Sequence, residues 1–183
     1  VNFLSTAAPR KLLAYDTRPP LIIFTDAALE GTNDENATYG GVVIDEGSVE
    51  LFRGTMSKDS LAVLQKETRK VITVLEVLPA AAAAIHWSAR TQHRRVFMYI
   101  DNDAARAGLI KMYSPVETIH SVLKLLGMHQ AKNPAFYWYA RVPSASNIAD
   151  NASRMVDLEY LSKEAEEVTV DVESPVKTKG VIK

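Results

Sequence analysis

Leu21-Ile22-Ile23-Phe24-Thr25-Asp26 is a β-branched and aromatic run closed by an acid, with Pro19-Pro20 before it and a polar stretch after it. Short runs of this kind, bounded by proline and polar residues, read as buried strands. The design returns at Val96-Phe97-Met98-Tyr99-Ile100-Asp101, so two strands each deliver a carboxylate at their carboxyl end. In open α/β sheets that end is where ligands bind.

Outward from the first run, Tyr39-Gly40-Gly41-Val42-Val43-Ile44 and Val49-Glu50-Leu51-Phe52-Arg53 predict two further strands. The short Asp45-Glu46-Gly47-Ser48 link makes them an antiparallel hairpin. A helix is predicted over 68–90, with Ile72, Leu75 and Leu78 on one face; Pro79, which cannot donate to the carbonyl of Leu75, is expected to kink or pause it. A short helix follows from Asn102 to Met112. Ser114-Pro115-Val116-Glu117 supplies a cap, a first-turn proline and a capping-box acid for the next, which Gly127 is expected to end. Phe136 to Val142 is the fifth strand, and a last helix starts near Ile148. Residues 1–20 read as an arm or linker, 21–167 as the domain, and 168–183 as a tail expected to lack order. The expected architecture is α/β: a mixed five-stranded sheet, three antiparallel strands then parallel ones, flanked by helices.

Composition narrows the function. The 183 residues carry 21 Lys and Arg against 22 Asp and Glu, so any polyanion must be held by local patches. There is no cysteine, which excludes disulfide scaffolds, cysteine zinc sites, iron–sulfur clusters and thiol catalysis. The longest apolar run, residues 77–85, is too short to cross a bilayer, and no charged-then-apolar leader opens the chain, so a soluble protein is expected. The sequence leaves the compartment open, with an intracellular one, cytoplasm or nucleus, as the expectation. With Val1 in place of Met, a processed product or a piece cut from a longer polypeptide is expected.

Four acids stand where water would not place them: Asp26 and Asp101 after apolar strands, Glu76 between Leu75 and Val77, and Asp150 between Ala149 and Asn151 near the start of the last helix. Singly, each has an ordinary reading as a turn, cap, helix-surface or first-turn acid. Jointly they make a like-charge cluster that needs cations, and an all-oxygen donor set selects Mg²⁺ or Mn²⁺. Two such ions about 3.5–4 Å apart form the arrangement that cleaves phosphodiesters.

The strings Phe24-Thr25-Asp26-Ala27-Ala28, Val74-Leu75-Glu76-Val77-Leu78-Pro79-Ala80, Tyr99-Ile100-Asp101-Asn102-Asp103-Ala104-Ala105 and Val142-Pro143-Ser144-Ala145-Ser146-Asn147-Ile148-Ala149-Asp150 resemble the ribonuclease H family. They look closest to the domains that follow reverse transcriptases in DIRS and pararetrovirus-type retroelements. The resemblance covers residues 21–155 and keeps the family order Asp, Glu, Asp, Asp. It implies a two-metal endonuclease that hydrolyses the RNA strand of an RNA–DNA hybrid, leaving a 3′-hydroxyl and a 5′-phosphate, with Mg²⁺ as cofactor and Mn²⁺ as a substitute. In that scheme Asp26 bridges both ions, Glu76 and Asp101 hold the ion near the leaving group, and Asp150 the ion that activates water. An adjoining reverse transcriptase domain is the implied partner. Many members carry a histidine just before the last Asp; here that stretch is Ser144-Ala145-Ser146-Asn147, and altered turnover is expected.

For substrate contacts, Arg106 is the first candidate for a phosphate, followed by Lys66, Arg69, Lys70, Arg94, Arg95, Lys111 and Arg154. Main-chain groups of Ala27, Ala28 and Asn102 are candidates for the ribose 2′-hydroxyl. Asp103 is read as a helix cap, and the four histidines as structural or surface residues. Alternation puts Tyr137 and Tyr139 on one face of their strand and Trp138 on the other. Two other functions stay open: a silent ribonuclease-H-like scaffold, and a nuclease of the same fold acting on another nucleic acid.

Overall fold

Asp45 and Ser48 pair across a two-residue turn whose residues, Glu46 and Gly47, both have positive φ (49° and 90°). A turn with two positive φ angles matches the twist of the strands it joins. It links β2 (Asn36–Asp45) to β3 (Ser48–Thr55), the hairpin expected from the sequence. The computed structural model to which these elements belong describes residues 17–31, 34–156 and 165–177.

β1 (Leu21–Glu30) pairs antiparallel with β2 and parallel with β4 (Arg95–Ile100), which pairs parallel with β5 (Phe136–Arg141). The sheet is mixed, as expected, but has six strands in the order β5-β4-β1-β2-β3-β6. The additional strand, β6 (Glu166–Glu167), is two exposed acids paired parallel to β3, so no apolar pattern announced it.

The helices are α1 (Lys58–Glu67), α2 (Val71–His86), α3 (Ser88–Thr91), α4 (Asp103–Lys111), α5 (Glu117–Lys132), α6 (Asp150–Ser153) and α7 (Ser174–Lys177). α2 packs on β1 and β2 and against α4 and α5. Its residues from Val74 to Ala84 are all buried, as befits a helix apolar on every side. The helix runs unbroken through Pro79, so the expected pause is absent. A proline in a helix interior costs about 3 kcal/mol. Each large apolar side chain fully buried returns about 1.5–3 kcal/mol, and Val74, Leu75, Val77 and Leu78 flank the proline in the core.

Two helix boundaries differ from expectation. The single helix expected over 68–90 begins at Val71 and is preceded by α1, whose N-cap Ser57 accepts the Ser60 N–H and whose Leu61 and Leu64 are buried. α5 starts at Glu117 and is capped from outside: Glu67 of α1 accepts the Thr118 N–H at 2.6 Å. It passes Gly127, whose lack of a side chain admits Met112, and ends at Lys132.

Residues beyond 167, expected as a tail, contribute to the core through Val172 and Val176. Glu173 ties them to α1, accepting the Ser57 N–H at 2.9 Å and the hydroxyls of Ser57 and Ser60 at 2.6 and 2.7 Å. Burial alone would raise this carboxyl, but those donors outweigh it and hold it down at about 2. At the other end, Arg94 donates to the Pro19 carbonyl and to Asp45, each at 2.9 Å. Residues 1–16 of the expected arm, the stretch 157–164 of the last helix and 178–183 of the tail lie outside the described residues.

Candidate metal centre

The ladder between β1 and β4 pairs Leu21 with Val96 and ends at Phe24 and Tyr99. Extending that register by two residues sets Asp26 beside Asp101. β1 does not stop at Asp26 as expected; it continues to Glu30 paired with β2 alone, so the sheet opens where the two acids stand. Glu76 reaches the opening from α2, which crosses β1. One carboxylate oxygen from each of Asp26, Glu76 and Asp101 lies within 4.8 Å of the others.

Asp26 and Glu76 are only 3% and 4% exposed, and Asp101 is half-buried. Burial, reinforced by the charges of Asp26 and Asp101, pushes the Glu76 carboxyl up to about 9 against the opposing hydrogen bond from the Ala27 N–H. Burial likewise lifts Asp26 to about 6, opposed by the Ser153 hydroxyl. Glu76 Oε2 is shut off from solvent and has no hydrogen-bond partner. Buried carboxylates at this spacing ionise together only when cations neutralise them. Oxygen donors without His or Cys suit hard divalent ions, so the residues present fit magnesium or manganese.

Asp150 opens α6 and stands outside the three-acid group. Arg154 Nε holds both of its oxygens at 3.0 Å, and Arg154 Nη1 reaches Glu30 at 3.2 Å. The Asp150 charge nonetheless raises both Asp26 and Glu76, so it acts on the same pocket. α6 lies over β1 and β2 because Gly40, the register partner of Asp26, leaves room: a Cβ there would meet Ser153 N at 2.6 Å and Ala152 C at 2.9 Å. Only glycine permits that backbone approach.

The close approach delivers donors that the sequence reading did not single out. The fully buried Ser153 hydroxyl donates to Asp26 Oδ2. Asn147, 4% exposed, donates to Asp26 Oδ1 at 3.2 Å and to the Thr25 carbonyl at 3.1 Å. Ser144 donates to Asp101 Oδ2 at 2.6 Å. Such outer hydrogen bonds orient ligating carboxylates. Ser144 and Asn147 fall in the polar Ser144-Ala145-Ser146-Asn147 stretch that lacks the expected histidine; Ser153 carried no sequence signal of its own.

The candidate substrate residues are placed unevenly. Ala27 and Ala28 are buried, and the Ala27 N–H serves Glu76. Asn102 caps α4, its side chain accepting the Ala105 N–H at 3.0 Å; Asp103, expected as the cap, instead pairs with Arg106 at 3.4 Å and Arg141 at 3.2 Å. Arg94 is buried against Asp45 and therefore unavailable to a groove ligand. Lys70 and Lys111 line one cavity of about 280 Å³ with Thr73 and Ala104, between α2 and α4. Tyr137 and Tyr139 stack on each other and pack against the core, while Trp138 points outward, as alternation requires. Among the described residues no histidine joins the acidic group.

No family model and no curated protein matches the chain. Among solved structures it is similar to the LC11 ribonuclease H1 isolated from compost by a metagenomic approach, with a TM-score of 0.51 and 15% identity over 78% of this chain and 99% of that one. It is also similar to ribonuclease H1 of the halophilic archaeon Halobacterium salinarum, with a TM-score of 0.47 and 12% identity over 74% and 94% of the two chains. The N-terminal ribonuclease H domain of a Mycobacterium tuberculosis protein gives a TM-score of 0.46 and 17% identity over 77% and 94%. The first likeness shows that the chain has a ribonuclease-H-like fold. Among the described residues no helix is long and apolar enough to cross a membrane.

Proposed function

We propose that this chain is a divalent-metal-dependent endonuclease that hydrolyses the RNA strand of RNA–DNA hybrids. The observation that carries the reading is the meeting of Asp26, Glu76 and Asp101 within 4.8 Å at the opening of a ribonuclease-H-like sheet. In this reading those three carboxylates and Asp150 hold two Mg²⁺ ions, with Mn²⁺ as a substitute. When bound, the ions supply an activated water and neutralise charge on the leaving oxygen.

The chain's own groups keep the carboxylates in place. Asn147 and Ser153 fix Asp26, Ser144 fixes Asp101, and the Ala27 N–H orients Glu76. Arg154 holds Asp150 at the rim. Arg106 and the lysine pair Lys70 and Lys111 meet phosphates; the main chain at Ala28 and Asn102 faces the ribose. No side-chain nucleophile is required, in keeping with the absence of cysteine. The Ser144 hydroxyl, engaged with Asp101, stands in the stretch where many members of the family carry a histidine, and turnover is expected to differ from that of enzymes with a histidine there.

The setting we propose is a reverse transcriptase polyprotein. The strings around the four acids support it, and so does the net charge of −1. A near-neutral domain grips a polyanion weakly at physiological salt, and a linked polymerase on the same duplex raises the effective concentration.

The test is cleavage of a labelled hybrid with Mg²⁺, Mn²⁺ or chelator. Metal-dependent cutting that Asp26→Asn abolishes supports the reading. A clean preparation that binds hybrid without cutting it favours the scaffold, and preference for single-stranded or four-way DNA favours the same-fold nuclease.

A further inference from the structure

Of the four acids read as ion ligands, Asp26, Glu76 and Asp101 meet within 4.8 Å and Asp150 stands apart. Among the described residues Asp150 is also the only one of the four in an ion pair. Arg154, the residue after α6, places one N–H, from Nε, at 3.0 Å from both Asp150 oxygens. Equal distances put that nitrogen on the fork of the carboxylate, the position of a cation bound through both oxygens.

Arg154 Nη1 reaches Glu30, the last residue of β1, at 3.2 Å. The guanidinium thus ties α6 to the strand that carries Asp26. Its charge is felt there: behind burial, the Ser153 hydrogen bond and the Asp101 charge, Asp150 raises the Asp26 carboxyl and Arg154 lowers it. Arg154 therefore offsets part of the Asp150 field at the cluster.

A divalent ion approaching Asp150 meets a positive charge on the same two oxygens. Like charges at this distance repel, and an ion and an N–H cannot share the fork. The guanidinium is nevertheless loosely held. Its side chain is 48% exposed, and pairs of this kind, four residues apart and open to water, contribute little. Glu30, 58% exposed, offers the displaced guanidinium a second carboxylate. The three-acid group has no such competitor, and its Glu76 Oε2 is buried without a hydrogen-bond partner.

We infer that Arg154 competes with a divalent ion for Asp150, so that the ion held with Asp150 binds only as the guanidinium swings aside. The inference rests on the reading of the four acids as ligands of two ions. It makes Arg154 a positioning residue that acts through Asp150.

Binding of Mn²⁺ alone to the full chain, followed by calorimetry and by loss of the free-ion electron paramagnetic resonance signal, tests it. Two steps are expected in the wild type, a tighter one at the three-acid group and a weaker one that Asp150→Asn removes. Arg154→Gln should tighten the weaker step about fivefold, the scale of an exposed ion pair, and leave the tighter one within about twofold. In Asp150→Asn, where only the tighter step remains, adding Arg154→Gln should change nothing, because the partner through which it acts is gone. An unchanged weaker step in Arg154→Gln, shown by circular dichroism to be folded, overturns the inference. So does a single bound ion in wild type and Arg154→Gln alike. Equal tightening of both steps, or tightening that persists in the Asp150→Asn background, also overturns it and makes Arg154 a general positive charge near the cluster. The two readings fail separately. Hybrid cleavage in Mg²⁺ with Mn²⁺ steps indifferent to Arg154 sinks the competition alone, whereas a chain with the Arg154-dependent step that never cuts hybrid loses the nuclease and keeps the competition.

Discussion

Ser153, with no solvent exposure, donates its hydroxyl hydrogen to Asp26 Oδ2, joining the last short helix to the first strand at the centre of the acidic cluster. A hydrogen bond to a charged group is worth about 1.5–3 kcal/mol. Ser153→Ala is therefore expected to weaken divalent-ion binding roughly 10–100-fold, the usual effect of losing a ligand's outer partner. Calorimetric titration with Mn²⁺ checks this; an unchanged affinity in a folded variant would show that the contact is incidental.

Gly40 lets α6 lie on β2 directly opposite Asp26. In Gly40→Ala the new methyl meets backbone, which cannot move aside as a side chain can. A loss of about 1–3 kcal/mol is expected from such overpacking, together with loss of metal-dependent activity as Ser153 and Asp150 are displaced. Urea unfolding and hybrid cleavage measure the two effects, and a variant with wild-type values for both would refute the packing argument.

Without metal, stability should fall as pH rises from about 4.5 to about 9. The folded state raises Glu76 to about 9 from 4.5, so in this window the native chain holds a proton that the unfolded chain has released. Asp26, raised to about 6 from 3.8, adds to the decline at its acid end. Melting temperatures in chelator across this range test the slope. Glu76→Gln should flatten it, and Mg²⁺ should restore stability at high pH; a curve that rises with pH in chelator contradicts the buried cluster.

Glu173 works in the opposite sense. Its folded value of about 2 lies below the unfolded 4.5, so its stabilisation is complete above 4.5 and is lost as pH falls through 2. Glu173→Ala leaves the Ser60 hydroxyl buried without this acceptor and is expected to cost about 1–3 kcal/mol at neutral pH. The difference from wild type should shrink on acidification. A constant difference would mean that packing of Val172 and Val176, and not the charged clasp, holds the segment.

Much of this was legible because burial writes itself into apolar runs. Leu21 to Thr25 and Val96 to Ile100 gave two neighbouring strands, and their shared register brought Asp26 to Asp101 as the sequence reading required. Glu76 was legible as an acid in an apolar helix, and it is buried. Hidden features depended on contacts between distant segments. Glu67 caps a helix 51 residues away, Glu173 caps α1 from 116 residues beyond Ser57, and Ser153 reaches Asp26 across 127 residues, none of which leaves a periodic mark. Local signals misled where packing outweighed them: Pro79 and Gly127 both lie inside continuous helices. Asp150, expected to hold the second ion, stands outside the three-acid group and pairs with Arg154.

The most direct test of the metal-dependent reading is cleavage of an internally labelled RNA–DNA hybrid while Mg²⁺ is titrated from zero. The account predicts no cutting in chelator, cutting of the RNA strand alone as Mg²⁺ rises, and none at any concentration for Asp26→Asn. Cleavage that persists in chelator, or that survives Asp26→Asn undiminished, would contradict it.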